Sequence, residues 1–328
     1  MTIGAVKSRL KASAGCGTMS AMQEQKDDYE LIDSGGGRKF ERFGRFTLVR
    51  PCSQALWRPE NPAAWTRASA TFDREEGNRW HGRSALPAEW MIETAGIRFK
   101  LSGTDFGHLG IFPEQRAQWN WIRAMVGGRG TGNGGRGTGN GERETGNGER
   151  VRVLNLFAYS GGSTLAAAQG GAEVCHLDAS KGMVQWAREN AALNGLQDRP
   201  IRWIVDDVHK FLRREFRRER RYDAVILDPP TFGRGASGET YKIERDLQET
   251  LVLVKGVLSE KPRFVLFSSH TPGLSCQVAE NVLAQAFAPA RVESGEMLLE
   301  GRGRPCPSGI YCRAVFGDGC ATGAAAPA

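Results

Sequence analysis

A chain of 328 residues, 40% of them hydrophobic, is long enough for one large core with a smaller unit beside it. No apolar run approaches the ~18–20 residues of a membrane span, and the 7 cysteines show neither a CxxC nor a Cys/His metal spacing, so the expectation is a cytoplasmic protein of a reducing compartment with no membrane, no metal and no structural disulfide. A net charge of +7, from 44 basic and 37 acidic residues, suits a polyanionic partner without requiring one.

Residues 1–26 carry Lys7, Arg9 and Lys11 ahead of the first acid, Glu24, and have no signal-type apolar stretch; a disordered tail is expected there. Residues 27–105 contain short alternating segments, such as Phe46–Arg50 and Ile92–Phe99, with Trp57, Trp65, Trp80 and Trp90 scattered among Pro, Gly and Arg. That texture predicts a small β-rich domain. Residues 106–126 form a helical connection, with Pro113 in the first turn of its helix. Residues 127–150 repeat a unit close to Gly-Arg-Gly-Thr-Gly-Asn-Gly, which can bury no core and is expected to be a flexible linker. Its GxG patterns follow no strand and precede no Gly-Lys-Ser/Thr, which argues against a phosphate loop.

From 151 to 316 the texture becomes alternating strand and helix. Strands are predicted at Val151–Phe157, Glu173–Leu177, Ile201–Val205, Ala224–Leu227 and Phe264–Phe267. Helices are predicted at Ser163–Gln169, Ser180–Asn194, Val208–Glu219, Thr240–Leu258 and Gln277–Phe287, and strand-like pieces at Glu296–Leu299 and Ile310–Phe316 close the domain. Residues 317–328 are expected to be a disordered tail. Such alternation gives a mostly parallel sheet covered on both faces, with ligands outside the carboxyl ends of the strands.

Those ends carry the chemistry. The first strand runs into Asn155-Leu156-Phe157-Ala158-Tyr159-Ser160-Gly161-Gly162. Its glycines let backbone approach a ligand, and the helix that follows points amide donors at it, although a tight turn would use the same residues. The second ends in Asp178-Ala179-Ser180, where the acid can take both hydroxyls of a ribose or cap the next helix. The third ends in Asp206-Asp207-Val208, where a carboxylate can accept an adenine amine, one of the two acids being free to cap. Together the three suit a nucleoside-bearing cofactor. The fourth ends in Asp228-Pro229-Pro230-Thr231-Phe232: a carboxylate on a backbone stiffened by two prolines, with an aromatic face nearby.

These ordered motifs resemble those of class I S-adenosylmethionine-dependent methyltransferases. More closely, the chain resembles the large-subunit ribosomal RNA methyltransferases, a family with cytosine carbon-5 and guanine nitrogen-7 branches. Leu109–Arg116, Trp186–Gly195, Tyr241-Lys242 and Pro307–Tyr311 add to the likeness, which spans about 105–316 apart from the 127–150 repeat. The resemblance implies a Rossmann-like α/β sandwich of seven strands, its last two forming an antiparallel edge, beside a small N-terminal β-rich domain. It implies S-adenosyl-L-methionine as cofactor and ribosomal RNA as partner, and it adds Phe112, Gln115 and Arg116 to the cofactor site. The implied cofactor set is then Phe112, Gln115, Arg116, Asn155, Phe157, Tyr159, Gly161, Gly162, Asp178, Ala179, Ser180, Asp206, Asp207, Val208 and Asp228. Asp228 would position the methyl acceptor, with Pro229 and Pro230 supplying rigidity and Phe232 a stacking face.

Two departures refine this reading. The carbon-5 branch has a cysteine after the fifth strand, where this chain reads Ser268-Ser269-His270-Thr271. Carbon-5 of cytosine is not nucleophilic until a thiolate has added to the ring, so the expected acceptor is a base nitrogen. His270 is read as a surface or structural residue. Thr231 separates Pro230 from Phe232, unlike the motif of amino methyltransferases, so an exocyclic amine is not singled out. No recognisable RNA-binding domain precedes the catalytic unit. A methyltransferase for a protein side chain or a small molecule therefore stays open, and a non-catalytic RNA-binding protein would have lost the cofactor motifs. A nucleotide-dependent oxidoreductase would want Gly-x-Gly-x-x-Gly after the first strand. The basic run Arg213–Arg221, interspersed with Glu, is read as a solvated helix face.

Overall fold

The computed structural model describes residues 27–74, 77–127, 150–235 and 238–317. The expected tails at 1–26 and 317–328 (beyond Gly317) and nearly all of the 127–150 repeat lie outside the described residues. Period-two patterning at the start of the chain yields β1 (Tyr29–Gly35), β2 (Arg38–Phe43), β3 (Phe46–Pro51), β4 (Ala70–Asp73) and β5 (Arg79–His81), which form one sheet in that order. A separate hairpin joins β6 (Trp90–Thr94) to β7 (Ile97–Leu101). Its turn, Ala95-Gly96, has positive φ at both residues (48° and 71°), the geometry whose twist matches the flanking strands. The helical connection is a 3-10 turn at Pro113–Gln115 running into α1 (Arg116–Val126).

The second half alternates as expected: β8 (Arg152–Leu156), α2 (Gly162–Gln169), β9 (Glu173–Asp178), α3 (Lys181–Leu193), β10 (Ile201–Val205), α4 (Val208–Arg217) and β11 (Ala224–Leu227). After a short hairpin of β12 (Phe232–Arg234) and β13 (Thr240–Lys242) come α5 (Ile243–Val257), β14 (Phe264–Ser269), α6 (Cys276–Phe287), β15 (Arg291–Leu299) and β16 (Cys306–Val315). The sheet order is β10-β9-β8-β11-β14-β16-β15, parallel from β10 to β14 and antiparallel at the β16 and β15 edge.

Alternation along the strands divides the core between the two faces. Val153, Ile226, Phe264 and Leu266 pack with Leu165, Trp119 and Ile122, and with Leu31, Phe43 and Leu48 of the N-terminal sheet. Leu154, Leu156, Val225, Leu227 and Phe267 pack with Phe211, Leu251 and Leu283 of α4, α5 and α6. The N-terminal unit is also tied to α3 by hydrogen bonds. Asn190 Oδ1 accepts from Lys100 N at 2.9 Å, Trp186 Nε1 donates to Lys100 O at 2.9 Å, and Asn194 exchanges bonds with the Arg98 backbone. These contacts give Trp186–Gly195 a structural purpose: they hold the β6–β7 hairpin against α3.

Three sequence expectations are corrected. Thr240–Lys242 is a strand paired with Phe232–Arg234, and the helix starts only at Ile243. The fifth strand continues through Ser268 and Ser269, both buried. The edge strands begin earlier than expected, because the first half of β15 is half-exposed and has no clear alternation. The fold also brings two free thiols together from opposite ends of the chain, Cys52 Sγ and Cys306 Sγ, 3.2 Å apart. Among the described residues no helix is long and apolar enough to cross a membrane.

Candidate active site

A cavity of about 530 Å³ opens at the carboxyl ends of β8 to β11, walled on the far side by the N-terminal unit. On its floor, the loop after β8 bends sharply. Phe157 and Tyr159 both have positive φ (55° and 50°), a strain of about 1–3 kcal/mol per non-glycine residue that surrounding contacts must offset. Phe157 packs edge-on against Tyr241 with ring centres 5.0 Å apart, and Tyr159 packs against Phe112 at 5.2 Å. Asp178 pins the same loop: its Oδ2 accepts from Tyr159 N at 2.9 Å and its Oδ1 from Ser180 N at 2.8 Å. Burial raises the Asp178 carboxyl above its ordinary value, and burial pushes the Tyr159 hydroxyl up to about 12.

At the next strand end, Asp207 caps α4 by accepting from Lys210 N at 3.0 Å, while Asp206 pairs with Arg214 at 2.5 Å. Ser180 caps α3. Capping and cavity lining therefore coexist in these residues.

The far wall comes from β2, β3 and the segment that leads into α1. Glu41 is fully buried there; Arg50 grips it with Nε and Nη2 at 2.9 and 3.0 Å, Lys39 stands at 3.3 Å, and Tyr29 donates its hydroxyl at 3.0 Å. Burial would raise the Glu41 carboxyl, but Arg50 and Lys39 hold it below the usual range. Arg50 also donates to Gly107 O at 3.2 Å, fixing the loop that carries Phe106. Farther along, Gly110 has φ +90°, and a Cβ there would lie 2.2 Å from the Trp186 ring, so only glycine fits this junction.

Above Asp228 the wall becomes ionic. Asp228 Oδ2 accepts from Gln115 Nε2 at 3.2 Å, and Gln115 also donates to Ser268 Oγ at 2.9 Å. His270 places Nδ1 3.6 Å from Asp228 Oδ1 and Nε2 3.1 Å from Oε1 of buried Glu114. Burial would lower the imidazole, but Asp228 and Glu114 raise it to about 10. Burial would raise Glu114, but the His270 bond and charge hold it at about 2.

The cavity brings together Phe112, Phe157, Tyr159, Asp178, Ala179, Ser180, Asp206, Asp207, Val208, Asp228, Pro229 and Pro230 from the sequence-derived set. Gln115, Asn155 and Gly162 line a smaller adjoining cleft of about 40 Å³, shared with Asp228. Gly161 lines neither; it is a packing position, where a Cβ would come within 3.0 Å of Ala187 Cβ. Arg116 and Phe232 line neither cavity. Arg116 turns away to lie over Tyr29 and bond Asp27 and Pro113 O, an N-terminal tie. Phe232 is 58% exposed on β12 and does not line the cavity, because pairing with β13 turns its ring outward while Thr231 and Gly233 face in. Missed altogether were Glu114 and the wall residues Lys39, Arg50, Phe72 and Arg74. His270, read as structural, lies within the site. Glu114 stood inside a quoted motif, between Phe112 and Gln115, and was the one signal available.

A parallel sheet with this strand order, an antiparallel edge and acids at the ends of β9, β10 and β11 defines a class I methyltransferase. Residues 140–260 match the profile of a family described as S-adenosylmethionine-dependent methyltransferase. A crystal structure of the SAM-dependent methyltransferase from Agrobacterium tumefaciens is 36% identical, covers 88% of this chain and 91% of its own, and superposes with a TM-score of 0.78. A SAM-dependent methyltransferase structure from Streptococcus mutans shares the fold at 18% identity, with a TM-score of 0.64 over 88% of this chain and 75% of its own. Among curated proteins, the Ribosomal RNA large subunit methyltransferase K/L of Shewanella frigidimarina is 31% identical over 192 residues, 55% of this chain and 22% of that one. Its namesake in Pseudomonas paraeruginosa is 29% identical over 201 residues, 60% and 24% of the two chains. The chain thus spans about a quarter of the length of the curated relatives it matches. This chain belongs to the S-adenosylmethionine-dependent methyltransferases. Its cavity fits that donor: the volume lies within the ~300–1,000 Å³ of small-molecule sites, and carboxylates at consecutive strand ends stand beside the apolar Phe157 and Val208.

Proposed function

We propose that this methyltransferase acts on a base of ribosomal RNA and that the acceptor atom is nitrogen. The observation that carries the acceptor chemistry is that Asp228 meets the cavity without a thiol beside it. Ser268 and Ser269 end β14, and among the described residues no cysteine lines the cavity. Carbon-5 of cytosine would need a thiolate to add first, whereas a nitrogen lone pair can attack directly once aligned. The names of the curated relatives favour ribosomal RNA, and the mouth of the cavity agrees with them. Lys39 and Arg50 are committed to Glu41, but Arg74 on one lip and Arg234 on the other make no ion pair among the described residues, so both can meet phosphates. Phe106, 71% exposed on the same rim, offers a stacking face. This reading goes with a cytoplasmic location.

S-adenosylmethionine supplies a sulfonium-activated methyl group. Asp178 would hold the ribose hydroxyls, Asp206 or Asp207 the adenine amine, and Phe157 and Val208 the flat faces of that ring. Asp228 would accept an N–H of the target base and so aim its nitrogen, while Pro229 and Pro230 fix the backbone that carries the carboxylate. The test is incubation with donor and 5-fluorocytosine-containing RNA, followed by a denaturing gel. No covalent protein–RNA adduct is expected, and a stable, cysteine-dependent one would return the reaction to carbon-5.

A further inference from the structure

Three ionisable side chains from separate elements meet on the acceptor side of the cavity. Glu114 lies in the 3-10 turn before α1, Asp228 follows β11 and His270 follows β14. The imidazole bridges the two acids, with Nε2 3.1 Å from Glu114 Oε1 and Nδ1 3.6 Å from Asp228 Oδ1, and its ring packs on Phe112 at 5.1 Å. Ser308 Oγ donates to the same Glu114 oxygen at 2.9 Å. Glu114 Oε2 and Asp228 Oδ1 are buried with no hydrogen-bond donor. A buried carboxylate oxygen without a donor is costly unless a cation stands beside it. The other charges facing this cluster are Lys39 and Arg50, both engaged by Glu41, and His108, which burial and Arg50 keep below its ordinary value. His270 is the cation left to compensate both acids.

We propose that Glu114 and His270 form a carboxylate–imidazolium–carboxylate chain with Asp228, which holds Asp228 fixed as the acceptor for the target N–H. This rests on the role given to Asp228 above. Each ring nitrogen faces a carboxylate oxygen, so both carry protons and no lone pair is left to take one from the substrate. His270 is therefore a positioning residue and not the base. Asp228 Oδ1 is sealed against the imidazole, and the side chain, 27% exposed, meets the cavity through Oδ2. In the transfer the nitrogen lone pair forms the new N–CH3 bond and the S–CH3 pair stays on sulfur, which becomes a neutral thioether. For an acceptor nitrogen that carries an N–H, as this proposal requires, the surplus proton passes to Asp228 Oδ2 and from there to water.

The test uses full-length protein with 15N-labelled histidine, in which the 5 imidazoles are assigned with His270→Asn. Both nitrogens of His270 should stay protonated up to about pH 8.5, and Glu114→Gln, which is isosteric, should move the titration down by about one unit or more. A wild-type His270 that titrates near its ordinary value, or one indifferent to Glu114→Gln, overturns the proposal. This readout needs no acceptor, so it stands or falls apart from the ribosomal RNA reading. With large ribosomal subunits as acceptor, His270→Asn should lower kcat roughly 10-fold or more while S-adenosylhomocysteine affinity is unchanged, and Glu114→Gln should move the alkaline limb of the pH profile down. An unchanged kcat in a folded His270→Asn protein overturns the positioning role.

Discussion

Asp178→Asn separates the two duties of a single carboxylate. In the native protein its oxygens accept from two backbone amides, Tyr159 N and Ser180 N. Asparagine keeps one acceptor and sets an NH2 against the other amide, leaving that donor unsatisfied at a cost of about 1–3 kcal/mol. Burial already disfavours the ionised acid, and the neutral amide removes that cost. The net loss of stability should therefore sit at the low end, about 1 kcal/mol, or roughly 1–2 °C in Tm for a chain of this size. The donor's ribose, by contrast, would lose a charged acceptor, about 1.5–3 kcal/mol, which is roughly 10- to 150-fold in Kd. Calorimetry with S-adenosylhomocysteine, paired with thermal denaturation, reads both numbers. A variant that stays folded with affinity within about threefold of wild type would refute the ribose assignment and leave Asp178 as a loop tie alone.

Three further outcomes follow from the wall of the cavity. Glu41→Ala leaves Arg50 buried without its partner and should cost about 3–5 kcal/mol in urea denaturation, far more than a surface charge deletion. Glu114 has a folded value of about 2 against an ordinary 4.5, so its stabilisation is complete above pH 4.5 and is lost as pH falls towards 2; urea midpoints should drop across that window in wild type and drop less in Glu114→Gln. Arg116→Ala should lower Tm by loosening the tie to Tyr29 and Asp27, yet leave S-adenosylhomocysteine affinity within about threefold, because the guanidinium does not line the cavity.

The strand-end half of the candidate site was legible in the sequence because its signals are local. A strand that must end in a ligand-facing turn writes its acid next to its last apolar residue, and Asp178, Asp206, Asp207 and Asp228 all sit there. The acceptor half is assembled from distant segments. Lys39 and Arg50 carry no motif, and only the packing of β2 and β3 brings them to the cavity wall. His270 became informative once Glu114, 156 positions earlier in the chain, was found at its Nε2. Phe232 falls outside the cavity for a related reason. Thr240–Lys242 runs straight into an apolar helix, so the sequence hides the strand that pairs with Phe232–Arg234 and turns the ring to solvent. Arg116 belongs to a motif that also begins a helix, and its side chain serves the helix side.

The most direct measurement is the fate of the methyl group. Large ribosomal subunits from a strain lacking this gene are incubated with protein and methyl-labelled S-adenosylmethionine, and the RNA is digested to nucleosides for mass spectrometry. The account predicts label in one nitrogen-methylated nucleoside, and its near-complete loss with Asp228→Asn although that variant still binds S-adenosylhomocysteine. Label in 5-methylcytidine, or in the protein fraction, would contradict it.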